Sequence, residues 1–428
     1  MLKTFANAWK IEDLRKKMIF TLLMVVVFRF GNILPLPFVN KEIVKQIYNG
    51  TAGSILGLVN QITGGGLSSL SVFALGVGPY ITSSIVVQLL TFAIPSLEEL
   101  SKQGEAGRKK IQKITKYVAL VLAILQAYGI VVGIFNLAIA NGEGFLPKLV
   151  VIVSLVAGSQ FIVWIGELIT EHGIGNGVSM IIFLGIISSI PDVVIGWFQG
   201  ITQGVVGYEW WKFVILLLIT IISVIFVVLL TEGERRVPVQ YAKRVVGRKM
   251  YGGSSTHIPI KVNMSGVMPV IFASAVLALP QTLALIFGGG FRTFVEKWFI
   301  PTGTLGTIVF IIIQFAMVIL FAYFYNSIQF SPYEYSKNLQ QNGGFIPGIR
   351  PGKPTTDYLG NVVGRITLIG AIGLGIIAAA PRLISHFMNA HLALGGTSII
   401  IVVGVIIETQ KQLEAMMQMR HYKGFLNK

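Results

Sequence analysis

Few side chains in this sequence could do bond-making chemistry, and none stands in a set that would. Glu167 and Glu171 precede His172 in ITEHGIGNG, at the end of an apolar run, which makes them interfacial groups rather than a buried acid pair. No HExxH pair, no GxSxG elbow and no pair of intramembrane aspartates accompanies them. Gly352-Lys353 is followed by Pro354 where a phosphate-cradling loop would need Ser or Thr. The five histidines are scattered and cysteine is absent, so disulfides, thiolate ligands and a Cys/His zinc site are excluded. No catalytic residue, metal site or cofactor is expected.

Polar groups within apolar runs are sparse and include Arg29, Gln88, Gln126, Asn136, Gln160 and Glu167. A proton- or ion-coupled transporter would bury several acids near the midplane, which these residues do not supply. Gln88 and Gln126 have two open readings, hydrogen bonding between helices or lining a functional seam. Arg29, near the end of its run, would snorkel or pair.

The elements that must position these groups are membrane spans. The chain has 428 residues, 54% hydrophobic and only 12% charged, with a mean hydropathy of +0.74. Soluble domains carry about 25% charged residues, so this is a polytopic membrane protein. Apolar runs at 18–37, 72–94, 117–139, 149–169, 178–196, 213–230, 264–287, 305–328, 362–380 and 393–407 predict ten spans. Of the 34 Lys and Arg, 26 fall on alternate segments that include both termini and seven on the intervening ones, which places both termini in the cytoplasm. The basic N-terminal run WKIEDLRKKMIFTLLMVVVFRF lacks an A-x-A-like site and reads as an anchor rather than a cleaved signal. Ahead of it, Leu2, Phe5 and Trp9 fit either a helix on the membrane surface or a disordered basic tail.

Ten spans predict two halves of five, 18–200 and 201–428, after an amphipathic N-terminus at 1–17; an odd number per half makes any repeat inverted. Two cytoplasmic segments, 231–263 and 329–361, are too long for simple connections. The first holds VPVQYAKRVV, a β-branched stretch suited to a hairpin strand; the second is broken by Gly and Pro and has no helical pattern. Topology accounts for about half of their basic residues. The remainder could dock an acidic partner.

One segment is at odds with its position. GGGLSSLSVFALGVGPY lies directly against a span, yet irregular backbone facing lipid leaves N–H and C=O groups unpaired at several kcal/mol each. Leu67 to Leu75 could form two turns of a loosely packed helix within a cavity, broken by Gly76, Gly78 and Pro79; composition alone favours a re-entrant or external connector.

Five motifs in order resemble the SecY family of protein-conducting channels: ALGVGPYITSSIVVQLL (74–90), ITEHGIGNGVSMIIF (169–183), LTEGERRVPVQYAKR (230–244), STHIPIKVNMSGVMPVIFASA (255–275) and GFIPGIRPGKPT (344–355). The resemblance runs over essentially the whole chain; the one departure noted is His172, where many relatives carry Arg. It implies an all-α polytopic membrane protein of the bacterial plasma membrane, ten helices in two inverted five-helix halves around an hourglass pore with a lateral gate. It implies a plug built from Thr63, Gly64, Gly65, Gly66, Leu67, Ser68, Ser69, Leu70, Ser71 and Val72. It implies a pore ring of Ile81, Ile85, Ile182, Ile186, Ile271 and Ile401. Without it, these isoleucines read as packing, although Ile81/Ile85 and Ile182/Ile186 are i, i+4 pairs on one helix face each. As a ring they would form a hydrophobic neck that dewets when empty.

The same resemblance implies a lateral gate between spans two and three and spans seven and eight, with Gln88 and Gln126 near it. It also implies that Arg350, with Arg235, Arg236, Lys243 and Arg244, docks a SecA motor ATPase and the ribosome. The implied partners are SecE-like and SecG-like small membrane subunits, signal peptides, unfolded preproteins and the lipid bilayer. Two rivals remain from the residues alone: a secondary transporter, which lacks midplane acids, and an intramembrane enzyme, which lacks a nucleophile–base set.

Overall fold

The computed structural model describes residues 2–47, 60, 63–139, 144–205, 207–241, 244–246, 249–251, 255–287, 289–299, 303–388 and 395–426. A helix overlaps each predicted apolar run. In chain order the helices are α1 (Leu2–Trp9), α2 (Glu12–Ile33), α3 (Lys41–Ile47), α4 (Gly78–Ala93), α5 (Pro95–Lys102), α6 (Glu105–Gly133), α7 (Phe145–His172) and α8 (Gly177–Thr202). They continue with α9 (Trp210–Glu232), α10 (Met268–Phe287), α11 (Gly289–Trp298), α12 (Gly303–Gln329), α13 (Pro332–Gln341), α14 (Lys353–Phe387) and α15 (Gly396–Leu426). Among the described residues, six helices are long and apolar enough to cross a membrane, or seven if α4 and α5, bent by 101° at Pro95, count as one.

Helix ends follow local chemistry. Pro79 and Pro95 sit in the first turns of α4 and α5, where a missing N–H costs nothing. The Asn176 side chain accepts from Ser179 N at 3.2 Å and caps α8, turning the GIGNG loop into a sharp link from α7. α14 has 35 residues and is about 52 Å long at 1.5 Å per residue, well beyond the roughly 30 Å hydrocarbon layer. Its first turns therefore stand clear of the membrane.

There they carry a small sheet. β1 (Glu234–Tyr241) pairs antiparallel with β4 (Ser255–Lys261) and with β5 (Gly344–Phe345), in the order β4-β1-β5, and β2 (Arg244–Val246) pairs with β3 (Lys249–Tyr251). The expected hairpin strand is present, and β1 joins the two long loops into one platform. Val237 and Val239 alternate inward and pack with Ile260, Leu339, Ile346 and Leu359. The second loop departs from expectation. Residues 332–341 form α13, because Ser331 accepts from Glu334 N and Pro332 opens the first turn, a start signal the Gly/Pro-rich surroundings concealed.

The N-terminal segment forms the helix of the first reading, with a docking site the sequence did not show. In α1, Phe5 and Ala8 pack with Leu14, Ile174, Leu413, Met416 and Met417. Thr4 Oγ1 donates to Glu414 Oε1 at 3.1 Å, so α1 clasps the end of α15. Hydrogen bonds from Gln410 and then Thr4 hold the Glu414 carboxyl below its ordinary range. Arg382 lies near the end of α14, with its guanidinium 4.6 Å from the Phe310 ring centroid and Nη1 donating to Gln314 Oε1 at 3.4 Å.

Candidate functional site

Two cavities meet on three isoleucines. The larger, about 330 Å³, opens on the platform side and is lined by Gln112, Lys116, Glu167, Glu171, Asn176 and Ser179 above Ile81, Ile182 and Ile271. The smaller, about 70 Å³, lies on the far side and is lined by Thr63, Leu75, Gln126, Ile130, Ser274, Thr282 and Ile401, with the same three isoleucines as its other wall. The arrangement is an hourglass with an aliphatic waist. α4 supplies Ile81, α8 supplies Ile182 and α10 supplies Ile271, while Ile401 of α15 faces the far cavity only. Ile85 and Ile186 line neither cavity; at 3% and 1% exposure they pack one turn away in the same core cluster. A waist lined by branched alkyl groups offers water no hydrogen bond and opposes ion passage without a charged gate.

On the polar rim of the larger cavity Lys116 pairs with one of the two carboxylates. Lys116 Nζ lies 2.7 Å and 2.8 Å from the two Glu167 carboxylate oxygens, linking α6 to α7. Among the described residues, no group of three His, Cys, Asp or Glu side chains could hold a metal ion.

Beyond the far cavity lies the weak segment, and its packing corrects the expectation of a loose helix. Residues 64–77 run as successive turns, with Leu70 N bonded to Leu67 O, Ser71 N to Gly66 O and Gly76 N to Phe73 O. Leu67, Leu70, Ala74 and Leu75 are at most 2% exposed and join Leu36, Ile130, Phe135 and Leu155 in one cluster. Asn32 Nδ2 donates to Thr63 O at 3.1 Å, Val72 N to Leu34 O at 3.0 Å and Ser159 Oγ to Gly76 O at 3.0 Å. The backbone groups that lipid would leave unpaired are thus met by α2, its following turn and α7. Close approach depends on glycine: a Cβ at Gly158 would lie 2.0 Å from Val72 O, and one at Gly64 2.9 Å from Gly185 Cα. The Phe73 ring stacks between Phe28, at 6.2 Å, and Phe161, at 6.0 Å.

A seam runs between α4 and α6 on one side and α10 and α12 on the other. Tyr325 Oη donates to Gln88 Oε1 at 2.9 Å, Phe92 meets Phe324 edge-on at 5.2 Å, and Phe272 meets Tyr325 at 5.0 Å. Gln88 therefore lies at the seam, paired to a tyrosine that sequence reasoning missed. Gln126 lies across the far cavity from Ser274 and Ala275 of α10. The tyrosine's only signal was a polar-tipped aromatic in AYFYNSIQF, which is ordinary in a span.

On the platform, Arg235, Arg236 and Arg350 are exposed, and Arg236 pairs with Glu234 at 2.7 Å. Arg350 sits in the turn between β5 and α14, where its carbonyl accepts from Thr355 Oγ1 at 2.8 Å. Arg244 lies in β2, and Lys243 lies outside the described residues.

Comparison with known proteins gives a consistent result. The SecY family model matches residues 71–410. The protein translocase subunit SecY of Streptomyces galbus is 42% identical over 443 residues, covering 100% of both chains. A solved protein-conducting channel superposes with a TM-score of 0.65 at 20% identity, covering 94% of this chain and 92% of that one. Sec61 in the canine ribosome–channel complex superposes with a TM-score of 0.60 at 18% identity and the same coverage.

Proposed function

This chain belongs to the SecY family of protein translocase subunits, and from that premise we propose how its own residues seal, open and dock a protein-conducting channel. The waist of Ile81, Ile182 and Ile271, backed by Ile85, Ile186 and Ile401, closes around an extended polypeptide and shuts behind it. Residues 63–72 plug the far funnel at rest. The supporting observation is the placement of two cavities on either side of three shared isoleucines, with a buried segment beyond the second.

The seam carrying Gln88 and Tyr325 is the lateral gate. An apolar signal helix leaving through it gains about 0.3–0.6 kcal/mol for each Leu, Ile, Phe or Val placed in lipid, enough over a whole helix to drive release. The halves 18–200 and 201–428 hinge opposite this gate. Unfolded secretory polypeptides cross, and signal or transmembrane helices leave sideways into the bilayer.

Both termini and the platform face the cytoplasm, as the distribution of Lys and Arg favours. Arg350, Arg235, Arg236, Lys243 and Arg244 receive a SecA-like motor or a ribosome; the ribosome-bound Sec61 relative supports the second. The chain catalyses no reaction itself and takes its driving force from these partners. SecE-like and SecG-like subunits complete the assembly in the plasma membrane. Planar-bilayer recording tests the seal: deletion of 63–72 should raise resting conductance, and unchanged conductance would remove the plug from the account.

A further inference from the structure

The connection between α10 and α12 carries a helix that the channel itself leaves unused. α11 reads GGFRTFVEKW, and at 100° per residue Phe291, Phe294, Val295 and Trp298 share an arc of about 100° while Arg292, Thr293, Glu296 and Lys297 fill the rest. Val295 is fully buried, so the helix is docked on the bundle, yet Phe291, Phe294 and Trp298 are 41%, 52% and 38% exposed. An apolar face that is only partly covered needs a second apolar surface.

The neighbours supply its identity. Phe287 at the end of α10 and Ile308 and Ile312 on α12, a helix long and apolar enough to cross a membrane, are also exposed, so both flanking helices carry uncovered apolar side chains. Phe287 meets Phe291 edge-on at 6.1 Å, and Gln281 Nε2 donates to Phe299 O at 2.8 Å, which ties both ends of α11 to α10. Arg292 and Glu296 pair at 2.8 Å on the polar face, and Lys297 Nζ lies 5.4 Å from the Trp298 ring centroid. Exposed Trp210 and Trp211 mark the same end of the bundle, as an aromatic belt does where a membrane meets water.

We propose that α11 is a lipid-interface anchor in the leaflet opposite the platform. Phe291, Phe294 and Trp298 sink about 5–10 Å into the headgroup–acyl boundary, and Arg292 and Lys297 stay at phosphate level. The anchor fixes the depth at which α10 and α12 end, whether or not those helices form a gate.

The natural sequence has no cysteine, so Phe294→Cys and Thr293→Cys can each carry a single environment-sensitive fluorophore in the reconstituted translocase. The label at 294 should emit to the blue, be quenched by lipids bearing a nitroxide near the headgroup and be shielded from aqueous iodide. The label at 293 should show the reverse. Phe291→Cys repeats the lipid-facing measurement one turn away should Phe294→Cys assemble poorly. Equal iodide quenching at 293 and 294 overturns the proposal, as does a 294 label reached by neither quencher, which would mean that another protein covers this face.

Discussion

Tyr325 Oη donates to Gln88 Oε1 at 2.9 Å, joining α12 to α4 across 237 positions of sequence and across the seam between the two halves. The bond is one of few polar links at that seam, and the rings of Phe92, Phe324 and Phe272 surround it. A hydrogen bond between membrane helices is worth about 0.6 kcal/mol on average. Removing it by Tyr325→Phe should favour the open gate by about two- to threefold. Export of reporters with progressively weakened signal peptides reads this out: weak signals should gain while strong signals stay unchanged. Gln88→Leu should act in the same direction. Unchanged export of every weak signal would separate the seam from signal recognition.

The 63–77 segment is seated on glycine. At Gly158 a methyl group would meet Val72 O at 2.0 Å, a backbone contact that cannot rotate away. Gly158→Ala should therefore lift the 63–77 segment and raise resting ion conductance while protein level and signal-dependent export persist. A variant as tight as the parent would show that residues 63–77 do not hold the ions back.

Arg350 projects from the β5–α14 turn, exposed and with no carboxylate partner among the described residues. Arg350→Glu should abolish motor-driven translocation and leave the assembled complex intact on native gels. Motor-driven translocation at the parental rate would contradict the assignment. Ribosome binding to the same platform should weaken steeply with salt, as contacts to RNA phosphates do.

The α1–α15 clasp should respond to acid. Gln410, from within α15, and Thr4, from α1, hold the Glu414 carboxyl below its ordinary range, so the Thr4 bond favours the α1–α15 contact at neutral pH. That contribution is lost as pH falls from the ordinary carboxylate range through the depressed value. Spin labels on Asn7→Cys and Lys411→Cys should move apart on acidification, and Glu414→Gln should remove the pH response. A distance that ignores pH in the parent would rule the clasp out as a titrating contact.

The helices were legible because lipid selects long apolar runs whatever their partners, whereas the spacing of the isoleucines fixed a helix face but not which of them would line a cavity. β1 was readable from its β-branched run for the same local reason. What stayed hidden depends on contacts between distant residues. Nothing near Tyr325 shows that Gln88 will be its acceptor. Leu67 and Leu70 read as a weak helix because Leu36, Phe135 and Leu155, which bury them, lie elsewhere in the chain. α13 was missed although Ser331 and Pro332 mark its start, since the glycines and prolines around it outweighed one turn of capping. The contacts of Arg382 with Gln314 and Phe310 were likewise hidden, because both partners lie on another helix.

The waist itself can be probed by a stalled substrate. Single cysteines at Ile81, Ile182 and Ile271 should each form a disulfide with a cysteine in a secretory chain arrested midway, whereas Ile222→Cys on the exposed face of α9 should not. Cross-links confined to the three waist positions are the predicted result. Cross-linking at Ile222 with none at the waist would place the polypeptide's path outside the hourglass and contradict the account.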